Sequence, residues 1–152
     1  MHKELHFDSP QREYRAEACV VSCFDARFDA VIRKFLKRRG IFTADHIKIA
    51  GAAKWLASPE HEDDRDFVLR QIRTSMRRHG AERLILFLHA GCGAYDGSCD
   101  RALLGAELAR AVEFVRANEA ALAIESYFLD FEGVWQADAA APPARGYNRE
   151  AV

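Results

Sequence analysis

The stretch Arg83-Leu84-Ile85-Leu86-Phe87-Leu88-His89-Ala90-Gly91-Cys92-Gly93 decides the fold. Leu84 to Leu88 is the longest unbroken aliphatic or aromatic run in the chain, and only a central strand covered on both faces carries such a run. Working outward, Ala18 to Cys23 is nearly all apolar or small, with two β-branched valines, and reads as a second strand buried on both faces. His46 to Ile49 alternates polar with apolar, the pattern of a sheet edge, and Leu122 to Phe128 supplies a fourth strand. Between them lie helical patterns. The first starts at Asp29 as N-cap, with Val31, Ile32, Phe35 and Leu36 inward and Gly40 as its stop. The second starts at Ser58 and Pro59 and carries Val68, Leu69, Ile72 and Met76 to a stop at Gly80. The third is capped by Asp100, with Leu104, Leu108, Ala111, Val112 and Val115 inward.

Strand and helix alternate throughout, which predicts a single α/β domain whose central sheet is parallel, with right-handed crossovers and helices on both faces. Placing the continuous apolar strands centrally gives the order 2-1-3-4, and Gly133-Val134-Trp135 adds a short antiparallel return. The expected organisation is an N-terminal arm over residues 1–16, a folded domain over 17–136 and an Ala- and Pro-rich loose tail over 137–152.

Composition narrows the classes of function. A chain of 152 residues is one domain's worth and buries roughly 70% of its unfolded surface without disulfide staples. Hydrophobic residues at 49% and charged residues at 30% exclude wholesale disorder and a disulfide scaffold. The 22 basic and 23 acidic side chains leave a formal charge of −1, so no nucleic-acid partner is indicated. No apolar run approaches the ~20 residues of a membrane span, and Met1 to Arg15 lacks the apolar centre of a secretory signal. A cytoplasmic, reducing location is therefore expected, in which Cys19, Cys23, Cys92 and Cys99 are thiols or metal ligands rather than disulfides.

In open α/β sheets, ligands bind beyond the carboxyl ends of the strands, where neighbouring crossovers part in opposite directions. Two segments end there: Cys23-Phe24-Asp25-Ala26-Arg27 and His89-Ala90-Gly91-Cys92-Gly93. Cys23, His89 and Cys92 are two soft thiolates and an imidazole, a donor set suited to zinc that leaves a fourth position open. Cys19, four residues before Cys23 on one strand, lies roughly 13 Å away at about 3.3 Å per residue, and reads as a small buried hydrophobe. Cys99 could close the fourth position in a purely structural site. Asp25 reaches the open position either as a ligand or as an acceptor held off the metal by a charge-assisted pair with Arg27, which points to catalysis.

These residues resemble the β-class carbonic anhydrases, which carry Cys-x-Asp-x-Arg after the first strand and His-x-x-Cys after the third. The resemblance runs over roughly Glu17 to Trp135. It includes, more weakly, Lys48-Ile49-Ala50-Gly51, where the family commonly has Arg-Asn-Ala-Gly. It implies zinc (Zn2+) held by Cys23, His89 and Cys92, an Asp25–Arg27 catalytic dyad, and reversible hydration of carbon dioxide to bicarbonate by hydroxide generated at zinc. It also implies a homodimer or higher homo-oligomer. His46, His61 and His79 have the pKa class of a proton shuttle. The alternatives are a related hydrolase of carbonyl sulfide or carbon disulfide, and a zinc-binding module without turnover. A phosphatase-type thiol loop is excluded, because the sixth residue after Cys23 is Asp29 and after Cys92 is Ser98, where Arg is needed. His2-Lys3-Glu4-Leu5-His6 lacks the Glu at its second position that a zinc-protease helix requires.

Overall fold

The computed structural model describes residues 1–137. Its sheet has five strands, β1 (Ala18–Ser22), β2 (Ala44–Lys48), β3 (Arg83–His89), β4 (Ala123–Leu129) and β5 (Val134–Gln136), in the order β2-β1-β3-β4-β5. The first four are parallel, and β5 pairs antiparallel with β4. The 2-1-3-4 order and the short C-terminal return are both borne out. The tail expected over 137–152 lies, beyond Ala137, outside the described residues.

Alternation along the strands divides the core in two. On one face Cys19, Val21, Leu84, Leu86 and Leu88 pack with Leu56, Val68, Ile72, Leu104, Leu108 and Val115, from helices α2 (Lys54–Ala57), α3 (Glu62–His79) and α4 (Arg101–Asn118). On the other, Val20, Ile85, Phe87 and Leu129 pack with Phe28, Ile32 and Leu36 around α1 (Asp29–Arg38). Both faces of β1 and β3 are buried, which explains their unbroken apolar runs.

Two helix starts differ in detail from expectation. Asp29 is the first residue of α1 rather than its cap. Asp25 caps instead a one-turn 3-10 segment, Ala26–Phe28, by accepting the Arg27 N–H. The second helix begins at Glu62, not at Ser58, because the Ser58 hydroxyl donates to Glu107 and is not free to cap. Three acidic residues, Glu62, Asp63 and Asp64, favour the new start through the helix dipole. The four-residue α2 was not foreseen. Asp100 caps α4 as expected, accepting from the Ala102 and Leu103 amides, and Gly80 ends α3 in a left-handed conformation.

The loop after β2 crosses the loop after β3 at Gly51. Gly51 has φ +76°, and a Cβ built there would stand 2.8 Å from the Ala94 Cβ. Both backbone conformation and space demand glycine. Gly51→Ala is expected to lower stability by about 2–4 kcal/mol, combining left-handed strain with overpacking. Adding Ala94→Gly should recover the overpacking part and leave about 1–2 kcal/mol of strain. Chemical denaturation of the two variants measures both terms, and no recovery in the double variant would mean the loops do not abut.

Candidate metal centre

Parallel pairing of β1 with β3 sets Val21 beside Leu86, so Cys23 and His89 emerge side by side at the carboxyl ends. Beyond β3, Gly91 at φ +68° turns the chain and Cys92 comes back toward His89. The Gly97 and Tyr95 amides both donate to the Cys92 carbonyl, at 2.9 and 3.0 Å, which fixes the returning loop. The outcome is one compact group: the Cys23 and Cys92 sulfurs and a His89 ring nitrogen lie within 4.8 Å of one another.

His89 is 3% exposed, and its ring lies against Phe28 with centroids 4.6 Å apart. Nδ1 is 2.9 Å from the Ala90 carbonyl, which can only accept. Nδ1 therefore carries the hydrogen, and Nε2 presents a lone pair to the two sulfurs. That Nε2 is buried without a hydrogen-bond partner. A buried imidazole nitrogen left without a partner, in one group with two cysteine sulfurs, is a suitable donor set for a borderline-soft divalent ion, so the residues fit zinc.

The two thiols share their charge unequally. The Cys92 thiol beside Cys23 pulls the Cys23 pKa down to about 4 against the cost of burial; His89 and the backbone at Asp25 and Gly51 act in the same direction. The same contact pushes the Cys92 pKa up, while the amides of Ala94 and Gly51 oppose it. One thiol of the pair thus ionises readily beside the other, and metal binding would displace the proton that the pair retains. Burial disfavours the His89 imidazolium, but Cys23 and the Ala90 carbonyl outweigh it and raise the pKa.

Asp25 stands beside this group. Arg27 grips it through Nε at 3.0 and 3.1 Å from the two carboxylate oxygens and through Nη2 at 2.6 Å from Oδ2, while the Arg27 amide donates to Oδ1 at 3.1 Å. This hold lowers the Asp25 pKa to about 2. Oδ2 remains 3.9 Å from the His89 Nε2. The far side of Arg27 lies over the Phe131 ring and forms a wall of a pocket of about 200 Å³ with Phe28, Val31, Asp130, Glu132 and Gly133.

All five residues selected from the sequence, Cys23, Asp25, Arg27, His89 and Cys92, meet at this point. Cys99 is exposed with its thiol toward the Gly97 carbonyl, and it is not among the clustered donors. Cys19 is buried, its pKa raised by burial to about 12. His79 is bound to Asp45 and Tyr14 at the amino end of the sheet, away from Cys23. Trp55 is pinned by its Nε1–H to the Ala50 carbonyl at 2.5 Å, while Phe24 is 64% exposed. The sequence reading passed over the Gly51 and Ala94 amides. Backbone donors carry no residue-type signal, although Gly51 marks the turn that presents one.

The chain's fold is shared by solved carbonic anhydrases. It superposes on β-carbonic anhydrase isoform I of Trichomonas vaginalis with a TM-score of 0.59 at 15% identity, covering 86% of this chain and 87% of that one. A carbon disulfide hydrolase gives 0.54 at 15% identity, covering 83% and 80%. A tetrameric β-carbonic anhydrase of Sordaria macrospora gives 0.54 at 10% identity, covering 83% and 82%. No curated protein matches the sequence. The family described as "putative carbonic anhydrase" matches residues 14–139, and with the mixed sheet and the Cys-His-Cys group the chain belongs to this β-carbonic anhydrase-like family.

Proposed function

We propose that the protein is a zinc-dependent carbonic anhydrase that reversibly hydrates carbon dioxide to bicarbonate. The observation that carries the reading is the buried, partnerless His89 Nε2 between two cysteine sulfurs, with an arginine-held carboxylate 3.9 Å away. Cys23, His89 and Cys92 bind the ion. Zinc held by this set supplies Lewis acidity that brings the pKa of a water from ~15.7 toward ~7. The Ala90 carbonyl keeps the imidazole in the tautomer that binds through Nε2.

Asp25 supplies orientation. With a pKa of about 2 it is ionised throughout the neutral range and can only accept hydrogen bonds. Its Oδ2 takes a hydrogen of the nucleophilic water and aims the lone pair at the carbon of the substrate. Arg27, with both carboxylate oxygens occupied, fixes that acceptor and keeps it from rotating into the donor set. Carbon disulfide and carbonyl sulfide are also linear and open to attack at carbon, and the fold shared with a carbon disulfide hydrolase supports them as the second reading. The unpaired thiols favour a reducing cytoplasmic setting. Among the described residues no helix is long and apolar enough to cross a membrane. A homodimer or larger homo-oligomer is the proposed assembly, supported by the tetrameric relative in fold. Phe24 and Phe131 stand 64% and 68% exposed around the site.

Stopped-flow hydration of carbon dioxide, with zinc content measured, tests the reading. Turnover should vanish on chelation, return with zinc, and fall about 100-fold or more in Asp25→Asn at equal zinc loading. One zinc per chain with turnover only on carbon disulfide or carbonyl sulfide would replace the substrate, and zinc with no turnover would leave a binding module. Arg27→Ala moves the Asp25 pKa upward toward ~3.9, still far below neutrality. The variant's loss should therefore be the same at every pH from about 6 to 9, since the orientation of Asp25 and not its charge has been removed. Light scattering should give a dimer or larger species, and a monomer with full turnover would overturn the shared assembly.

A further inference from the structure

Glu107 lies on the apolar stripe of α4, between Leu104, Leu108 and Ala111, and is 3% exposed. A carboxylate there is costly unless its oxygens are engaged, and they are. Oε2 accepts from the Ser58 hydroxyl and from the Tyr95 hydroxyl at 2.8 Å, while Oε1 accepts from Arg110. Burial opposes the charge, but these three donors outweigh it and keep the group ionised.

The two hydroxyls belong to the two loops that meet at the metal centre. Ser58 closes the short α2, tied through its amide to Lys54, whose own amide donates to the Gly51 carbonyl at 2.9 Å. Tyr95 ends the 3-10 turn Gly93–Tyr95, its amide on the Cys92 carbonyl. The two loops abut where a Cβ at Gly51 would stand 2.8 Å from the Ala94 Cβ, within the turn that follows Cys92. One buried oxygen thus joins the chain segment that carries Gly51 to the one that carries Ala94.

We propose that Glu107 is a positioning residue for the metal centre: through Ser58 and Tyr95 it clamps the two loops together, so that the turn returning Cys92 toward Cys23 and His89 keeps its place. The inference rests on the metal reading above and adds what holds the donor set in position.

Cobalt(II) loading of the full chain tests this without recourse to turnover. The variants are Ser58→Ala, Tyr95→Phe and Glu107→Gln, with Ser75→Ala as a control, because Ser75 donates to Asp45 at 2.6 Å at the other end of the sheet. Ser58→Ala and Tyr95→Phe each remove one oxygen and keep the proposal testable if Glu107→Gln fails to fold. Both should weaken cobalt binding about 10- to 100-fold and shift the thiolate-to-cobalt charge-transfer band as the donor set loosens. Ser75→Ala should lower the Tm while leaving band and affinity unchanged. Cobalt affinity and spectrum within twofold of the parent in both hydroxyl variants, whatever their Tm, would overturn the clamp. A parent protein that takes up no cobalt would instead overturn the metal reading, and the clamp with it.

Discussion

Everything in this molecule that carries chemistry depends on the parallel pairing of β1 with β3. It is the switch point of the sheet: from β1 the chain crosses to β2 on one side, and from β2 it returns past β1 to β3 on the other. The loops leaving β1 and β3 therefore diverge from a common line and leave a cleft between them. The register, Val21 opposite Leu86, puts Cys23 two residues beyond one partner and His89 three beyond the other. A slip of one residue would displace them by about 3.3 Å and reverse the faces of every side chain on the strand. The apolar packing of both faces of both strands prevents that slip. The hydrophobic core is thus what holds three donor atoms within 4.8 Å.

The charge at the site follows from this placement. The Asp25 carboxylate and a readily ionised cysteine pair stand beside the guanidinium of Arg27. The side chains approach from both layers: Cys23 packs against the core shared with α3 and α4, and His89 against Phe28 on the α1 side. Neither layer alone could build the group. Arg27 also reaches toward the Gly91 carbonyl at 3.5 Å, so the residue that immobilises Asp25 on the first loop leans on the turn that returns Cys92 on the second.

What the sequence made legible was governed by how local the information is. Continuous apolar runs identified β1 and β3, and alternation identified the edge strand β2, because burial on one or two faces is written directly in residue type. The five site residues were legible because each lies at or just beyond the end of such a strand. The start of α3 was misplaced because Ser58 has two competing uses, helix cap and partner of Glu107, and the second is a contact 49 residues distant in the chain. Asp29 stands inside α1 and not at its cap for a similar reason: Asp25, nearer the turn, accepts from both the amide and the side chain of Arg27. Glu107 did leave a signal. A charged residue in a stripe of Leu104, Leu108, Ala111 and Val115 must have buried partners, but nothing local says which.

The two ends of the sheet show why one of them is functional. At the amino ends, Asp45 accepts from Tyr14 at 2.7 Å and Ser75 at 2.6 Å and faces His79 Nδ1 at 2.8 Å. Burial pushes the Asp45 pKa up, but its partners prevail and lower it. This cluster is complete: its donors and acceptors are used on one another, and it fastens the segment before β1 to α3 and β2. At the carboxyl ends the same residue types are arranged to the opposite effect. His89 spends Nδ1 on a carbonyl and leaves Nε2 facing sulfur, and Asp25 is gripped by Arg27 with Oδ2 still turned toward that nitrogen. A folded chain gains nothing in stability from a buried nitrogen without a partner. Its presence beside a fixed carboxylate, at the point where the topology opens a cleft, is the physical sign of a site built for something the chain itself does not supply.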